Sequence, residues 1–211
     1  MIPFVNIHTH KHIDNNESVE IINIDVDDVV NVDVSLFYSL GIHPWDAETR
    51  KLEESCFQNF KAIGECGLDR ACDSDFEIQK SLFLKQIEMS EKYMKPMIIH
   101  AVRTYPDIIA IRKATKARQA WIIHGFQGNE QSAKQLLRHD GIFLSLGEVL
   151  FKNESKARRL LQVIPLERMF FETDIAVMRI ASVYEKASLL SGMEIDILRN
   201  GIFNNYVKIF G

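Results

Sequence analysis

Eight short apolar runs, separated by longer amphipathic segments, constrain the fold of this chain more than any other feature of its sequence. Each run has four to eight residues, and several show no alternation of polar and apolar positions. Runs of this kind are typical of strands that are buried on both faces. The runs are Pro3–Ile7, Val19–Val26, Val34–Leu40, Phe60–Ile63, Pro96–Ile99, Ala120–Ile123, Gly141–Leu146 and Arg168–Phe171.

Helical patterns separate the later runs and follow the last one. They cover Asp73–Lys92, Tyr105–Lys116, Asn129–Arg138, Asn153–Ile164 and two further helices in Val183–Phe210, with a break near Ser191–Gly192. Strand and helix in alternation predict an α/β fold with a parallel sheet, and about eight strands predict a compact TIM-like (β/α) barrel. A barrel usually needs about 250 residues. This chain has 211, so we expect a trimmed barrel in a single domain over residues 1–211, with the shortening between Lys11 and Ser35.

Composition excludes several classes of protein. The net charge of −4 argues against a broad basic surface that coats duplex nucleic acid. Three cysteines without a CxxC pair make a disulfide scaffold or a structural zinc knuckle a poor interpretation. The N-terminal sequence has no pattern of a secretory signal, and no run approaches eighteen apolar residues. We therefore expect a cytoplasmic protein without membrane contact, and the sequence indicates no obligate protein partner.

Histidines and carboxylates stand at the ends of six different apolar runs. They are His8 and His10, His43, Glu65, His100, His124 and Asp174. The carboxyl ends of the strands of a parallel barrel converge at one mouth, so we expect these side chains to meet there. His8 and His10 are two positions apart, and such residues point to the same side of a strand.

This set of side chains predicts a metal site. Imidazole and carboxylate together bind zinc, manganese or iron(II), and a carboxylate such as Glu65 can bridge two ions. Glu65 and Asp174 at the ends of buried runs need a cation, a hydrogen-bond donor or solvent. Considered one at a time, each histidine could instead cap a strand end or stabilise a turn without binding a metal ion. Arg103, three residues after His100, is placed to bind a phosphate bidentately.

Seven stretches in this order resemble the TatD family of metal-dependent hydrolases, in the amidohydrolase superfamily. They are NIHTH (6–10), GIHP (41–44), AIGECGLDR (62–70), PMIIH (96–100), WIIHGFQGN (121–129), GEVLFKN (147–153) and FETD (171–174). The C-terminal NNYVKIFG (204–211) is similar to the closing helix of the family. The resemblance implies a (β/α) barrel with a two-metal centre and phosphodiesterase chemistry, often described as deoxyribonuclease.

The resemblance also implies roles for single residues. His8, His10, Glu65 and Asp174 would bind one divalent ion, and Glu65, His100 and His124 would bind the second. The identity of the ions depends on supply, because zinc, manganese, magnesium and iron all suit such ligands. The resemblance also places His43 at the mouth, in contact with the substrate. From the chemistry of the residues we expect Asp174 to be the general base, Glu65 to bridge the ions and Arg103 to contact a phosphate.

The chain departs from the family pattern in three places. Asn6 stands where the family has an aspartate, a change that weakens support behind the metal ligands. Ile175-Ala176-Val177 follows Asp174 where the family continues with a small residue and proline, and the stretch after His10 is short. The short loops affect the range of substrates, because barrel specificity depends on loops.

We therefore expect a divalent-metal-dependent hydrolase that cleaves phosphodiester bonds at DNA ends, with a metal-bound water as nucleophile. Capture of a single-stranded end fits the acidic chain better than wrapping of a duplex. The alternatives are hydrolysis of a small phosphoester, hydrolysis of a cyclic amide or lactone, and a catalytically inactive binding protein. A lysine bridge would favour the amide hydrolase, whereas an inactive protein would have lost ligands; neither feature is present.

Overall fold

The computed structural model describes residues 2–13, 17–26, 29, 33, 35–51, 57 and 59–211. It divides into two compact units. The first contains residues 1–22 and 124–211, and the second contains residues 23–123. The prediction of a single domain over residues 1–211 stays a prediction.

Eight strands form a parallel sheet in which the order of the strands follows the chain. They are β1 (Phe4–Thr9), β2 (Ser18–Ile24), β3 (Phe37–Leu40), β4 (Ala62–Asp69), β5 (Met97–Val102), β6 (Trp121–Ile123), β7 (Ile142–Leu146) and β8 (Met169–Phe171). Each strand contains or overlaps one of the eight apolar runs. This strand order is that of a (β/α) barrel.

Seven α-helices lie in the described part of the chain, all of them after β4. They are α1 (Phe76–Tyr93), α2 (Tyr105–Thr115), α3 (Glu130–Leu137), α4 (Val149–Lys152), α5 (Glu154–Val163), α6 (Ile180–Ser191) and α7 (Ile195–Phe210). The predicted break between the last two helices is confirmed at Gly192, which ends α6 in a left-handed conformation with φ 77°. The short helix α4 was not predicted.

The first unit joins the two ends of the chain. Strand β1 pairs with β2, β7 pairs with β8, and a parallel bridge between Thr9 and Asp174 connects β1 with the segment after β8. The hydroxyl of Tyr184 in α6 accepts from the N–H of Val5 and donates to its carbonyl, at 3.2 and 3.1 Å. This buried tyrosine fixes the position of β1 against α6, and burial raises its pKa above the usual value.

The second unit contains the sheet from β3 to β6, with β4 buried along its whole length. Two glutamines of α1 satisfy the backbone of the loops beside it. Gln86 accepts from the N–H of Ile42 and donates to its carbonyl, and Gln79 does the same for Asp69. These paired bonds satisfy buried peptide groups at the points where the chain leaves β3 and β4.

The predicted shortening of the barrel falls partly on residues outside the described ranges, namely 14–16, 27–28, 30–32 and 34. The described part of residues 11–36 contains the strand β2 and single turns, and no α-helix. Among the described residues, no helix combines the length and the apolar character needed to cross a membrane.

Candidate functional site

The first unit gathers four of the predicted site residues. His8 and His10 lie at the end of β1, and Asp174 lies three residues after β8. One atom of each of these three side chains lies within 4.8 Å of the other two. The ring of His124, which directly follows β6, lies next to that of His8, with 4.3 Å between their centroids. We call His8, His10 and Asp174 cluster 1.

Backbone hydrogen bonds place Asp174 between the two histidines. The N–H of Asp174 donates to the carbonyl of His8 at 3.1 Å, and its carbonyl accepts from the N–H of His10 at 3.0 Å. Asp174 itself has a left-handed backbone with φ 53°. Its carboxylate thereby lies between two imidazoles that project from the same side of β1.

The spacing of cluster 1 suits a metal ion better than direct hydrogen bonds. The Nε2 atoms of His8 and His10 each lie 3.6 Å from Oδ1 of Asp174. This separation exceeds the usual hydrogen-bond range of about 2.7–3.2 Å. Two ligands of one tetrahedral zinc ion lie about 3.4 Å apart, given metal–ligand bonds of about 2.0–2.1 Å. The donor set of two imidazoles and a carboxylate therefore fits a divalent ion in both chemistry and spacing.

The second unit gathers His43, Glu65 and His100, which we call cluster 2. Oε1 of the buried Glu65 lies 3.2 Å from Nε2 of His43 and 2.8 Å from Nδ1 of His100. Glu65 lies inside β4 rather than after the predicted run, because β4 continues to Asp69. The register of β4 against β5 shifts between Ile63 and Cys66, which is where Glu65 projects.

The hydrogen bonds of His43 indicate which nitrogen carries its proton. The backbone N–H of Trp45 donates to Nδ1 of His43 at 3.2 Å, so this nitrogen is an acceptor. A neutral His43 therefore carries its proton on Nε2, the nitrogen that lies 3.2 Å from Oε1 of Glu65. In this tautomer His43 is a hydrogen-bond donor, whereas a metal ligand would need a lone pair at Nε2.

His100 has the opposite arrangement. Its Nε2 lies 3.0 Å from Oδ2 of Asp69, and its Nδ1 faces Glu65. A neutral His100 that donates from Nε2 to Asp69 presents the Nδ1 lone pair on the Glu65 side. Metal-binding histidines are commonly held by a carboxylate in this way. His100 and Glu65 therefore fit a metal ion, with His43 beside them as a donor.

Asp69 is a site residue that the sequence analysis missed. It is buried at the end of β4, where its side chain also accepts from Nε1 of Trp45 at 2.8 Å and from the N–H of Ala71 at 2.6 Å. Burial alone would raise the pKa of Asp69, but these donors and the neighbouring His100 lower it below its usual value. The carboxylate is therefore the form that holds His100. The sequence feature that could have identified Asp69 is its position at a strand end, four residues after Glu65.

Glu172 was missed in the same way. It is buried, and its Oε1 lies 3.7 Å from Nδ1 of His124 and accepts from the N–H of Gly125 at 2.5 Å. Glu172 thus places a carboxylate beside His124, at a longer distance than the 3.0 Å that separates Asp69 from His100. The sequence feature that could have identified Glu172 is its position, one residue after β8 and two residues before Asp174.

Arg103 is a predicted site residue that lies outside both clusters. It is exposed, in a left-handed conformation with φ 57°, three residues after His100. Among the described residues, no hydrogen bond or ion pair joins its guanidinium to cluster 2.

The sequence and the fold agree with one family of known proteins. A family model described as TatD related DNase matches residues 5–211. The chain belongs to the TatD-related DNase family. This confirms the resemblance drawn from the sequence motifs.

Individual relatives of this TatD-family chain are described as uncharacterized metal-dependent hydrolases. One from Buchnera aphidicola is 32% identical over 158 residues, covering 66% of this chain and 59% of its own length. YabD from Bacillus subtilis is 32% identical over 148 residues, covering 66% of this chain and 58% of its own length. The matched stretch spans about three-fifths of the length of these curated relatives.

Solved structures confirm the fold. The crystal structure of YjjV, a TatD homolog from Escherichia coli, superposes with a TM-score of 0.85 at 21% identity, over 100% of this chain and 99% of that one. A TatD-family hydrolase from Entamoeba histolytica superposes with a TM-score of 0.81 at 17% identity, over 99% and 98%. The predicted α/β barrel of TIM type is thus confirmed.

Proposed function

We propose that this protein is a divalent-metal-dependent hydrolase that cleaves phosphodiester bonds, with single-stranded DNA ends as substrates. The observation that carries the proposal is cluster 1, in which two imidazoles and a carboxylate surround a point at the spacing of metal ligands. Family membership supports the reaction class, since the family is described as TatD related DNase.

We assign one ion to each cluster. His8, His10 and Asp174 would hold one ion in the first unit, and Glu65 and His100 would hold a second ion in the second unit; the role of His124 as a ligand is the one that the sequence motifs imply. Asp69 orients His100 from behind and fixes the nitrogen that its ring offers, and Glu172 places a buried carboxylate beside His124. When bound, such ions polarise a phosphate ester and lower the pKa of bound water.

The side chains of the protein then bind the substrate and move the proton. Asp174, half-buried and held by the backbone of β1, orients the attacking water and takes its proton as general base. The Nε2–H of His43 turns from Glu65 to a phosphate oxygen as negative charge develops there. Arg103, exposed beside this end of β5, contacts a further phosphate.

A substrate panel with a chelator control tests the proposal. We expect the metal-loaded protein to hydrolyse single-stranded DNA faster than duplex DNA, and we expect a chelator to abolish the activity. Asp174→Asn should lower kcat at least about 100-fold, the scale of general-base catalysis, and retain the fold. Asp107→Asn is the matched control, because this carboxylate pairs with Arg70 and belongs to neither cluster.

Failure of the metal-loaded protein to cleave any phosphodiester would overturn the proposal. The panel includes RNA, small phosphoesters and a cyclic amide, so activity on the amide alone would identify the alternative class. Unchanged turnover after alanine replaces both Glu65 and Asp174 would contradict the assignment of the site.

A further inference from the structure

Trp45 is a large aromatic side chain that remains exposed beside cluster 2. It lies in the single helical turn Pro44–Asp46, directly after His43, and 62% of its surface is exposed. The other tryptophan of the chain, Trp121, is completely buried. This exposure is unusual, because the indole of a tryptophan is usually buried in contact with apolar side chains.

The exposed ring is held in place by polar contacts. Its Nε1–H donates to Oδ2 of Asp69 at 2.8 Å, and its backbone N–H donates to Nδ1 of His43 at 3.2 Å. The indole also packs edge-on against the imidazole of His43, with 4.7 Å between ring centroids and 83° between planes. A ring fixed in this way loses little conformational freedom when a ligand binds it.

The same contacts place the ring next to the groups proposed to act on the substrate. The Asp69 oxygen that accepts from Trp45 also faces Nε2 of His100. The centroid of the indole lies 6.3 Å from that of the His100 ring. A nucleotide carries its base one sugar away from its phosphate, so a phosphate at His43 brings a base within reach of Trp45.

We propose that Trp45 forms a stacking subsite for the base next to the scissile phosphodiester. This inference rests on the proposed function and adds the group that the protein recognises beside the bond. Aromatic side chains bind the bases of single strands through stacking, which tolerates every base. The N–H of the indole is already bonded to Asp69, so the ring offers its π-face alone and the subsite does not select base identity.

Substrates with and without the base give the first test. We compare a short thymidine oligonucleotide with versions in which single positions carry an abasic sugar and the phosphates are kept. Trp45→Leu should lower kcat/KM about five- to hundredfold for the complete oligonucleotide, the scale of one stacked base. The oligonucleotide that lacks the base next to the cleaved phosphodiester should be cleaved equally by wild type and Trp45→Leu.

Two control variants separate stacking from other effects. Trp45→Phe retains an aromatic ring and removes the donor to Asp69, so it should retain most of the preference for the base. Leu189→Ala removes a 70% exposed apolar side chain from α6 and should behave as wild type. A loss in Trp45→Leu that is the same for both substrates would overturn the inference, as would no loss for either.

Tryptophan fluorescence tests binding without turnover. A hydrolysis-resistant phosphorothioate thymidine oligonucleotide should quench the wild-type emission in a saturable way. Trp45→Phe, in which only the buried Trp121 emits, should show no such quenching, and the abasic oligonucleotide should not quench wild type. Absence of quenching in wild type, or equal quenching in Trp45→Phe, would contradict the subsite.

These two readouts distinguish the inference from the proposed function. Quenching through Trp45 without hydrolysis of any phosphodiester would refute the phosphodiesterase and support the stacking subsite. Hydrolysis with equal kcat/KM for complete and abasic oligonucleotides would support the phosphodiesterase and refute the subsite.

Discussion

A carboxylate behind His100 sets the geometry of cluster 2. Asp69 determines which nitrogen of His100 faces Glu65. Such partners contribute to metal affinity although they do not touch the ion, since they fix the tautomer and the orientation of the ring.

Replacement of Asp69 by asparagine should weaken metal binding by about 10–100-fold. The amide cannot accept from Trp45, Ala71 and His100 together, so His100 loses its fixed orientation. The measurement is a competition titration of the protein against a chromophoric chelator. Asp107→Asn removes a carboxylate from the same unit and should leave the affinity unchanged; equal affinities in the two variants would refute the role of Asp69.

The hydrogen bonds of Asn6 show what an amide does at the position where the sequence motifs led us to expect an aspartate. Its amide donates to Oγ1 of Thr173 at 2.9 Å and lies 3.4 Å from Oε1 of the buried Glu20, while its Oδ1 accepts from the N–H of Thr173. An amide can both donate and accept, and thereby satisfies Glu20 and Thr173 together.

Asn6→Asp should therefore destabilise the protein, because it places a second carboxylate beside Glu20. We expect a loss of about 1–3 kcal/mol in the free energy of unfolding at neutral pH. The loss should shrink as the pH falls and one of the two carboxyls takes up a proton. Denaturant unfolding at several pH values measures this. The double variant with Glu20→Gln should recover stability at neutral pH, and a pH-independent loss would show that charge is not the cause.

At the scale of elements, the close approach of β4 and β5 brings Glu65 and His100 together. Gly67 pairs with His100 in the register and has φ 140°, and a Cβ at this position would lie 2.1 Å from the carbonyl oxygen of His100. Only glycine allows the two strands to lie this close at the site.

Gly67→Ala should consequently reduce both stability and metal affinity. We expect a loss of at least about 2 kcal/mol in the free energy of unfolding, from the clash and the backbone strain together. Gly192→Ala is the control, since φ is 77° there but a Cβ would meet nothing within 4 Å. It should cost about 1 kcal/mol and leave metal affinity intact. Equal effects of the two substitutions on affinity would contradict this explanation.

The elements show what the sequence can and cannot predict. The apolar runs predict all eight strands, because buried parallel strands need such runs. They miss the second half of β4, since Glu65, Gly67 and Asp69 interrupt the apolar pattern at the site itself. Asp69 and Glu172 were missed for a related reason: their role depends on contacts with histidines 31 and 48 positions away, and one sequence does not reveal such pairs.

At the scale of the whole molecule, cluster 1 ties the beginning of the chain to a segment near its end. An ion held by His8, His10 and Asp174 binds the folded state alone, and so raises its stability by mass action. At a free-ion concentration about a hundredfold above Kd, the free energy of unfolding should rise by about 2.7 kcal/mol.

Denaturant unfolding with zinc and with a chelator measures this linkage. Zinc should raise the free energy of unfolding of wild type. The rise should be smaller in His10→Ala, because this variant lacks a ligand of the ion in cluster 1. His139→Ala, at the end of α3, should keep the full gain. The same gain in His10→Ala and wild type would refute cluster 1 as a metal site.

The number of ions per chain tests the two-cluster assignment most directly. Equilibrium dialysis against zinc or manganese, followed by elemental analysis, should give two ions per chain for wild type and for His139→Ala. His10→Ala and His100→Ala should each give about one, because each removes a ligand of a different ion. Two ions in every variant, or none in wild type, would contradict the assignment.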